Sequence, residues 1–151
     1  MSINPEALTS LFPIFFTGVL VFNIVLFFIL AHRAEKKFKG LLDNKILFRE
    51  KGASGHSTKS FITKMGGASK ALDVIITDVD LAIKGIYSPF TVIGTFYDLT
   101  HRIPRNNISS VELISEKVHL NFSSTKGKHT VVLSLKDTNL FMKILGNEKN
   151  T

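Results

Sequence analysis

The chain has 151 residues, no cysteine, no tryptophan and a formal net charge of +7. The length suits one domain plus an appendage. The missing cysteine excludes disulfides, thiol catalysis, thiolate-bound zinc and iron–sulfur clusters. The charge is concentrated: no Lys or Arg precedes Arg33, ten basic against three acidic residues lie between Arg33 and Lys70, and the remainder is nearly balanced. Such asymmetry points to an anionic partner for that one segment.

Residues 1–10 form a short arm. The uncharged run LFPIFFTGVLVFNIVLFFILA follows, 21 residues from Leu11 to Ala31. As a helix rising about 1.5 Å per residue it spans roughly 31 Å, the hydrocarbon thickness of a bilayer. A core helix in so small a protein would show polar residues every third or fourth position. Here Thr17 and Asn23 alone break the apolar surface decisively, so the run predicts a single transmembrane helix. A cleaved signal peptide needs a basic start and small residues before the cut, and neither is present.

Asn4-Pro5 reads as an N-cap and first helical position. Pro13 falls in the first turn of the apolar run, where neighbouring groups absorb its missing donor. Arg33, Lys36, Lys37 and Lys39 flank the C-terminal end, and nothing basic flanks the other. The positive-inside rule then puts the N-terminus outside and the rest of the chain in the cytoplasm. This collar serves topology, and each cation near the surface also attracts anionic headgroups by about 1 kcal/mol. Asn23 is either one tolerated amide or a hydrogen-bonding contact with a second helix, in a homo-oligomer or a larger complex. The basic juxtamembrane segment, 32–45, is expected to stay helical until Asp43-Asn44.

From Ile46 the pattern changes to short β-branched and aromatic runs between turn signals. ILFRE and SFITK read as strands. LDVIIT and LAIKG form a hairpin about Asp78-Val79-Asp80. Tyr97 to Ile103 alternates loosely and stops at Pro104. SSVELIS and KVHLNFS flank Glu116-Lys117, and HTVVLSLK follows a turn. In that last strand Val131, Leu133 and Leu135 point one way and Val132, Ser134 and Lys136 the other. Asp137 can cap a helix whose apolar face is Leu140, Phe141, Ile144 and Leu145, stopped by Gly146. Residues 46–146 thus predict an α+β domain, an antiparallel barrel or sandwich closed by an amphipathic helix. Residues 147–151 are a tail.

The hairpin LDVIIT/LAIKG, the segment YDLTHRIPRNNISSVEL, the strands KVHLNF and HTVVLSLK and the closing helix together resemble the bacterial PH-like domains. The arrangement is similar to small bacterial membrane proteins with one helix and one such domain. The resemblance implies a small β-barrel plugged by the helix, with Phe141 in the region where eukaryotic PH domains usually carry a tryptophan. It further implies a binding module for lipids, peptides or neighbouring proteins, with headgroup contacts in loops beside the first strands.

KGASGHSTKS and KMGGASK occupy that place. The first is no P-loop, because Gly52 lies seven positions before Lys59 and strand follows. It is no nucleophile elbow either. What remains is a basic small-residue loop in which Lys51, Lys59, Lys64 and Lys70 either contact an anionic headgroup or solvate two turns. His56, His101, His119 and His129 lack metal-ligand spacing, and His119 and His129 read as strand surface positions. Asp98 with His101 has no marked nucleophile nearby. Arg102 and Arg105 read as a solvated turn. The expectation is a non-enzymatic module without cofactor or metal. It is tethered to the membrane and engages anionic lipid headgroups or a membrane-protein partner. The alternative is an assembly subunit of a larger membrane complex. Nucleic acid is not expected, because the membrane is the nearer polyanion for the basic segment.

Overall fold

The computed structural model describes residues 5–125 and 127–146. The Asn4 cap and the tail lie outside the described residues. α1 runs Pro5–Lys36, and its 32 residues, about 48 Å of helix, make it long and apolar enough to cross a membrane. Its apolar side chains stand in the open: Phe15, Phe22 and Phe28 are 72%, 66% and 68% exposed. Asn23 donates its amide to the Val19 carbonyl at 2.7 Å, so the polar group is accommodated on its own helix.

The helix stops earlier than the sequence suggests. It ends at Lys36 rather than at Asp43-Asn44. Gly40 takes φ +74°, a left-handed turn that suits glycine. The turn swings Phe38 and Leu41 onto the sheet, where they cover Ile75 and Ala82. Burying two large apolar side chains outweighs continuing a solvated helix.

Seven antiparallel strands follow: β1 Ile46–Ser57, β2 Ala68–Thr77, β3 Asp80–Gly85, β4 His101–Pro104, β5 Ile108–Ile114, β6 Lys117–Ser124 and β7 Gly127–Ser134. Their order is β4-β3-β2-β1-β7-β6-β5. β1 joins the two halves, pairing with β2 over most of its length and with β7 through Ser54 to Ser57. The edge strands β4 and β5 are consecutive in the chain, linked only by the 3₁₀ turn Arg105–Asn107. A flat seven-stranded sheet would hold its edges about 29 Å apart, whereas the step from Pro104 to Ile108 spans at most about 14 Å. The sheet is therefore curled.

Curling creates one interior. Leu72, Val74, Ile76, Leu81, Ile83, Val118, Leu120, Phe122, Val131 and Leu133 line it. α4, Thr138–Gly146, inserts Phe141 and Leu145. Phe141 meets Phe48 edge-on, with centroids 5.5 Å apart. The fold is α+β, with α4 capped as expected by the Asp137 carboxylate accepting from the Leu140 amide at 3.1 Å.

Two segments differ from their sequence readings, and a third carries an element the sequence reading did not include. SFITK is not a strand but α2, Phe61–Met65, opened by a reciprocal Ser60/Thr63 capping box. KGASGHS is not a loop but the second half of β1, bulged twice. Gly55 is required there, because a Cβ would lie 2.8 Å from the Val132 carbonyl oxygen on β7. Finally, SPFTVIGTF forms α3, Ser88–Phe96, which packs on α1 through Val92 against Ala31 and Ala34.

Candidate functional site

Two polar arrangements arise from this architecture. The first lies where α1 leaves its apolar run. α3 docks alongside, and a cleft of about 260 Å³ opens between them, lined by Leu30, Arg33, Ala34, Lys37, Val92 and Phe96. Arg33 and Lys37, one helical turn apart, put two cations on the same face. Leu30, Ala34, Val92 and Phe96 supply an apolar wall. Phe96 is 73% exposed at the level of Leu30, the penultimate residue of the apolar run. Phe90 and Ile93 on α3, and Tyr87 at its N-cap, are exposed as well. Arg33 and Lys37 are visible in the sequence as part of the basic collar; the α3 wall is marked there only by Ser88-Pro89, a helix-opening signal.

The α1 end is held firmly. Arg102 pairs with the buried Asp80 carboxylate through Nε at 2.8 Å and Nη2 at 2.7 Å. Its Nη1 donates to the carbonyls of Lys39 at 3.0 Å and Lys37 at 3.4 Å. Arg105 donates to the Ile144 carbonyl at 2.7 Å and the Thr77 carbonyl at 3.3 Å. Neither arginine belongs to a solvated turn. Lys84 adds a cation–π contact over Phe38 at 5.7 Å.

The four lysines of the glycine-rich runs do not converge. Lys51 lies mid-β1, and Ser57 is six residues further along extended chain, about 20 Å away. Lys59 follows that end, Lys64 is on α2 and Lys70 is on β2. All four are exposed. The glycine-rich strand instead lines a shallow depression of about 250 Å³ with Ser54, His56, Ser69 and Lys117. Burial, then the charges of Lys117, His119 and Lys64, hold the His56 imidazole below its ordinary 6.5. The unfolded chain therefore takes up this proton first, and stability falls as pH drops through about 6.5. A proton NMR titration should show the His56 resonance moving below that pH, later than an unstructured histidine.

The second arrangement is partly buried at one end of the curled sheet, with His129 inside and Asp98 and His101 half-buried. Asp98 follows α3 with φ +54°, a conformation that Asp tolerates better than most residues. Its Oδ2 lies 2.9 Å from His129 Nδ1 and accepts from Ser57 Oγ at 3.1 Å. His101 Nε2 lies 2.8 Å from the Asp98 carbonyl oxygen and 3.5 Å from Oδ1. Ser124 Oγ is 2.8 Å from His129 Nε2, and Lys59 Nζ is 3.9 Å from Asp98 Oδ1.

Phe122 fixes both rings, stacked on His129 at 5.2 Å and edge-on to His101 at 4.9 Å. Burial raises the Asp98 carboxyl. The His129 hydrogen bond, the charges of His101 and His129 and the Ser57 hydroxyl outweigh it and hold the group below its ordinary value. Burial is the largest influence on His101 and holds its imidazole low. His129 is 4% exposed, a correction to its reading as a surface position, while His119 is half-buried. No sequence spacing announces this group, because curling alone brings β4 and β7 together.

No protein-family model matches the chain, and no curated protein matches it.

Proposed function

We propose that this chain is a single-pass membrane protein whose C-terminal PH-like module lies on the cytoplasmic face and binds anionic lipid without catalysing a reaction. The carrying observation is the α1–α3 cleft, which sets two cations above an apolar wall at the level where the apolar run ends. An anionic phospholipid matches it in both parts. The headgroup meets Arg33 and Lys37, and the first methylenes of an acyl chain meet Leu30, Val92 and Phe96. Lys36 and Lys39 add to the local positive potential. The curled sheet plugged by α4 supports the PH-like reading.

Full-length protein in nanodiscs of mixed phosphatidylcholine and phosphatidylglycerol, released and weighed by native mass spectrometry, tests the reading. Wild type should retain phosphatidylglycerol selectively. Arg33→Ser with Lys37→Ser should lose about 2 kcal/mol, roughly thirtyfold in affinity. Equal retention of the two lipids by wild type would refute lipid selectivity. One observation favours the second reading, an assembly subunit of a larger complex. Phe61, Ile62 and Met65 on α2 are 72–76% exposed outside the cleft, and exposed apolar groups of this kind mark docking surfaces.

A further inference from the structure

We propose that Asp98, His101 and His129 bind one borderline divalent metal ion, zinc foremost. Each residue offers a donor atom, and the donors lie within 4.8 Å of one another. Zinc bonds of about 2.0–2.1 Å in a tetrahedral site put neighbouring donors about 3.3 Å apart. The two carboxylate oxygens each serve one ring: Oδ2 stands 2.9 Å from His129 Nδ1 and Oδ1 3.5 Å from His101 Nε2, on either side of that value. Two imidazoles and one carboxylate select zinc and its transition-metal neighbours over calcium or magnesium, which prefer all-oxygen shells. Three protein donors leave a fourth position for water.

The surroundings are those of a supported site. His129 Nδ1–H donates to the Asp98 carboxylate at 2.9 Å, and Nε2 faces Ser124 Oγ at 2.8 Å. A bound ion would take the place of the Nδ1 proton, and the neutral ring would then carry its proton on Nε2 and donate it to Ser124 Oγ. An outer hydrogen bond of this kind is how metal-bound histidines are oriented. Ser57 Oγ fixes Asp98 in the same way, and the Phe122 ring holds both imidazoles in place. Asp98 is held in a left-handed backbone, a conformation that persists where surrounding structure dictates it. His101 Nε2 carries the ring proton while it faces the Asp98 carbonyl, so binding through that nitrogen moves the proton to Nδ1.

Lys37, whose charge reaches His101, opposes a dication from a distance, and so, beside Asp98, does Lys59. Its ammonium already stands beside Asp98, but at 3.9 Å and with a side chain 48% exposed, so it can swing into water. Entry is from that side, past the rim formed by Asp98 and Lys59. A bound ion would tie Asp98, two residues past α3, to β4 and β7.

Isothermal titration of detergent-solubilised full-length protein with zinc chloride, after chelator treatment, tests this. The expected result is one zinc per chain. Affinity should fall more than about a hundredfold in Asp98→Asn and in His101→Ala, since even outer partners cost ten- to a hundredfold. Ser124→Ala should weaken binding within that smaller range, and Lys59→Ala should tighten it severalfold. Cobalt provides a readout on the wild type alone, so an unfolded variant cannot blur the answer. Intense visible d–d absorption marks a tetrahedral site, and zinc should quench it. No heat with zinc and a flat cobalt spectrum in wild type overturn the proposal. If a fluorophosphonate also labels Ser124 in that case, Ser124, His129 and Asp98 form a serine relay instead. Without labelling, the cluster is structural.

Discussion

Phe141→Ala should destabilise the domain by about 3–5 kcal/mol. The side chain is 0% exposed. It sits edge-on against Phe48 from β1, the strand that joins both halves of the sheet. Removing the ring leaves a cavity at the point where α4 enters the curled sheet. Met142 and Ile144 pack against the same core only partly buried. Leu145 is buried, and Arg105 holds the Ile144 carbonyl at 2.7 Å. A domain of this size has about 5–15 kcal/mol in all, so the loss is a large share. Urea titration of the full chain in micelles, followed by far-UV circular dichroism, should show a lower midpoint with little change in slope. Leu140→Ala, one residue earlier and 41% exposed, should cost less than about 1 kcal/mol. Equal costs for the two would mean that α4 lies on the sheet without plugging it.

What could be read from the sequence followed from periodicity or from unbroken apolar runs. KVHLNF, HTVVLSLK and the closing helix carry a repeat of 2 or 3.6, whereas the run from Leu11 to Ala31 and LDVIIT are marked by nearly continuous apolar residues. LDVIIT is apolar almost throughout because both of its faces are covered. Val74 and Ile76 face the interior, and Ile75 lies under Phe38 and Leu41. Asp73 is buried in the same strand, pairing with Arg49 at 2.7 Å.

The misreadings have physical reasons as well. α2 is five residues long and too short for a period, so only its capping box marks it. α3 mixes β-branched and glycine residues that disfavour isolated helix, and it is held by docking on α1 and β3. The glycines of β1 read as a turn because composition cannot show that β7 crosses close to Gly55. The Asp98, His101 and His129 group depends on curling, which no local pattern encodes. The cleft was half legible, with its cations visible in the collar and its apolar wall hidden in a helix that went unread.

Arg102→Ala should cost about 2–3 kcal/mol, toward the low side for a broken buried pair because Arg102 itself is 31% exposed. Two losses combine. Asp80, 7% exposed in its side chain, keeps a charge without its guanidinium. The carbonyls of Lys37 and Lys39, just past the end of α1, lose their donor. For a domain of this size the melting temperature should drop by about 10–20 °C.

Arg102→Lys should recover only part of this. An ammonium is a point donor and cannot fork between a carboxylate and two carbonyls. Limited trypsin digestion separates a loosened junction from general unfolding. In Arg102→Ala, cleavage after Lys39 and Lys45 should quicken at temperatures where the sheet remains folded. The comparison bears directly on the lipid cleft, one wall of which is α1 and the other α3. A junction that frays moves the walls apart, so phosphatidylglycerol retention should fall in Arg102→Ala although Arg33 and Lys37 are untouched. If the junction stays protease-resistant and the melting temperature is unchanged, Phe38 and Leu41 alone hold α1 to the sheet, and the arginine contacts contribute little.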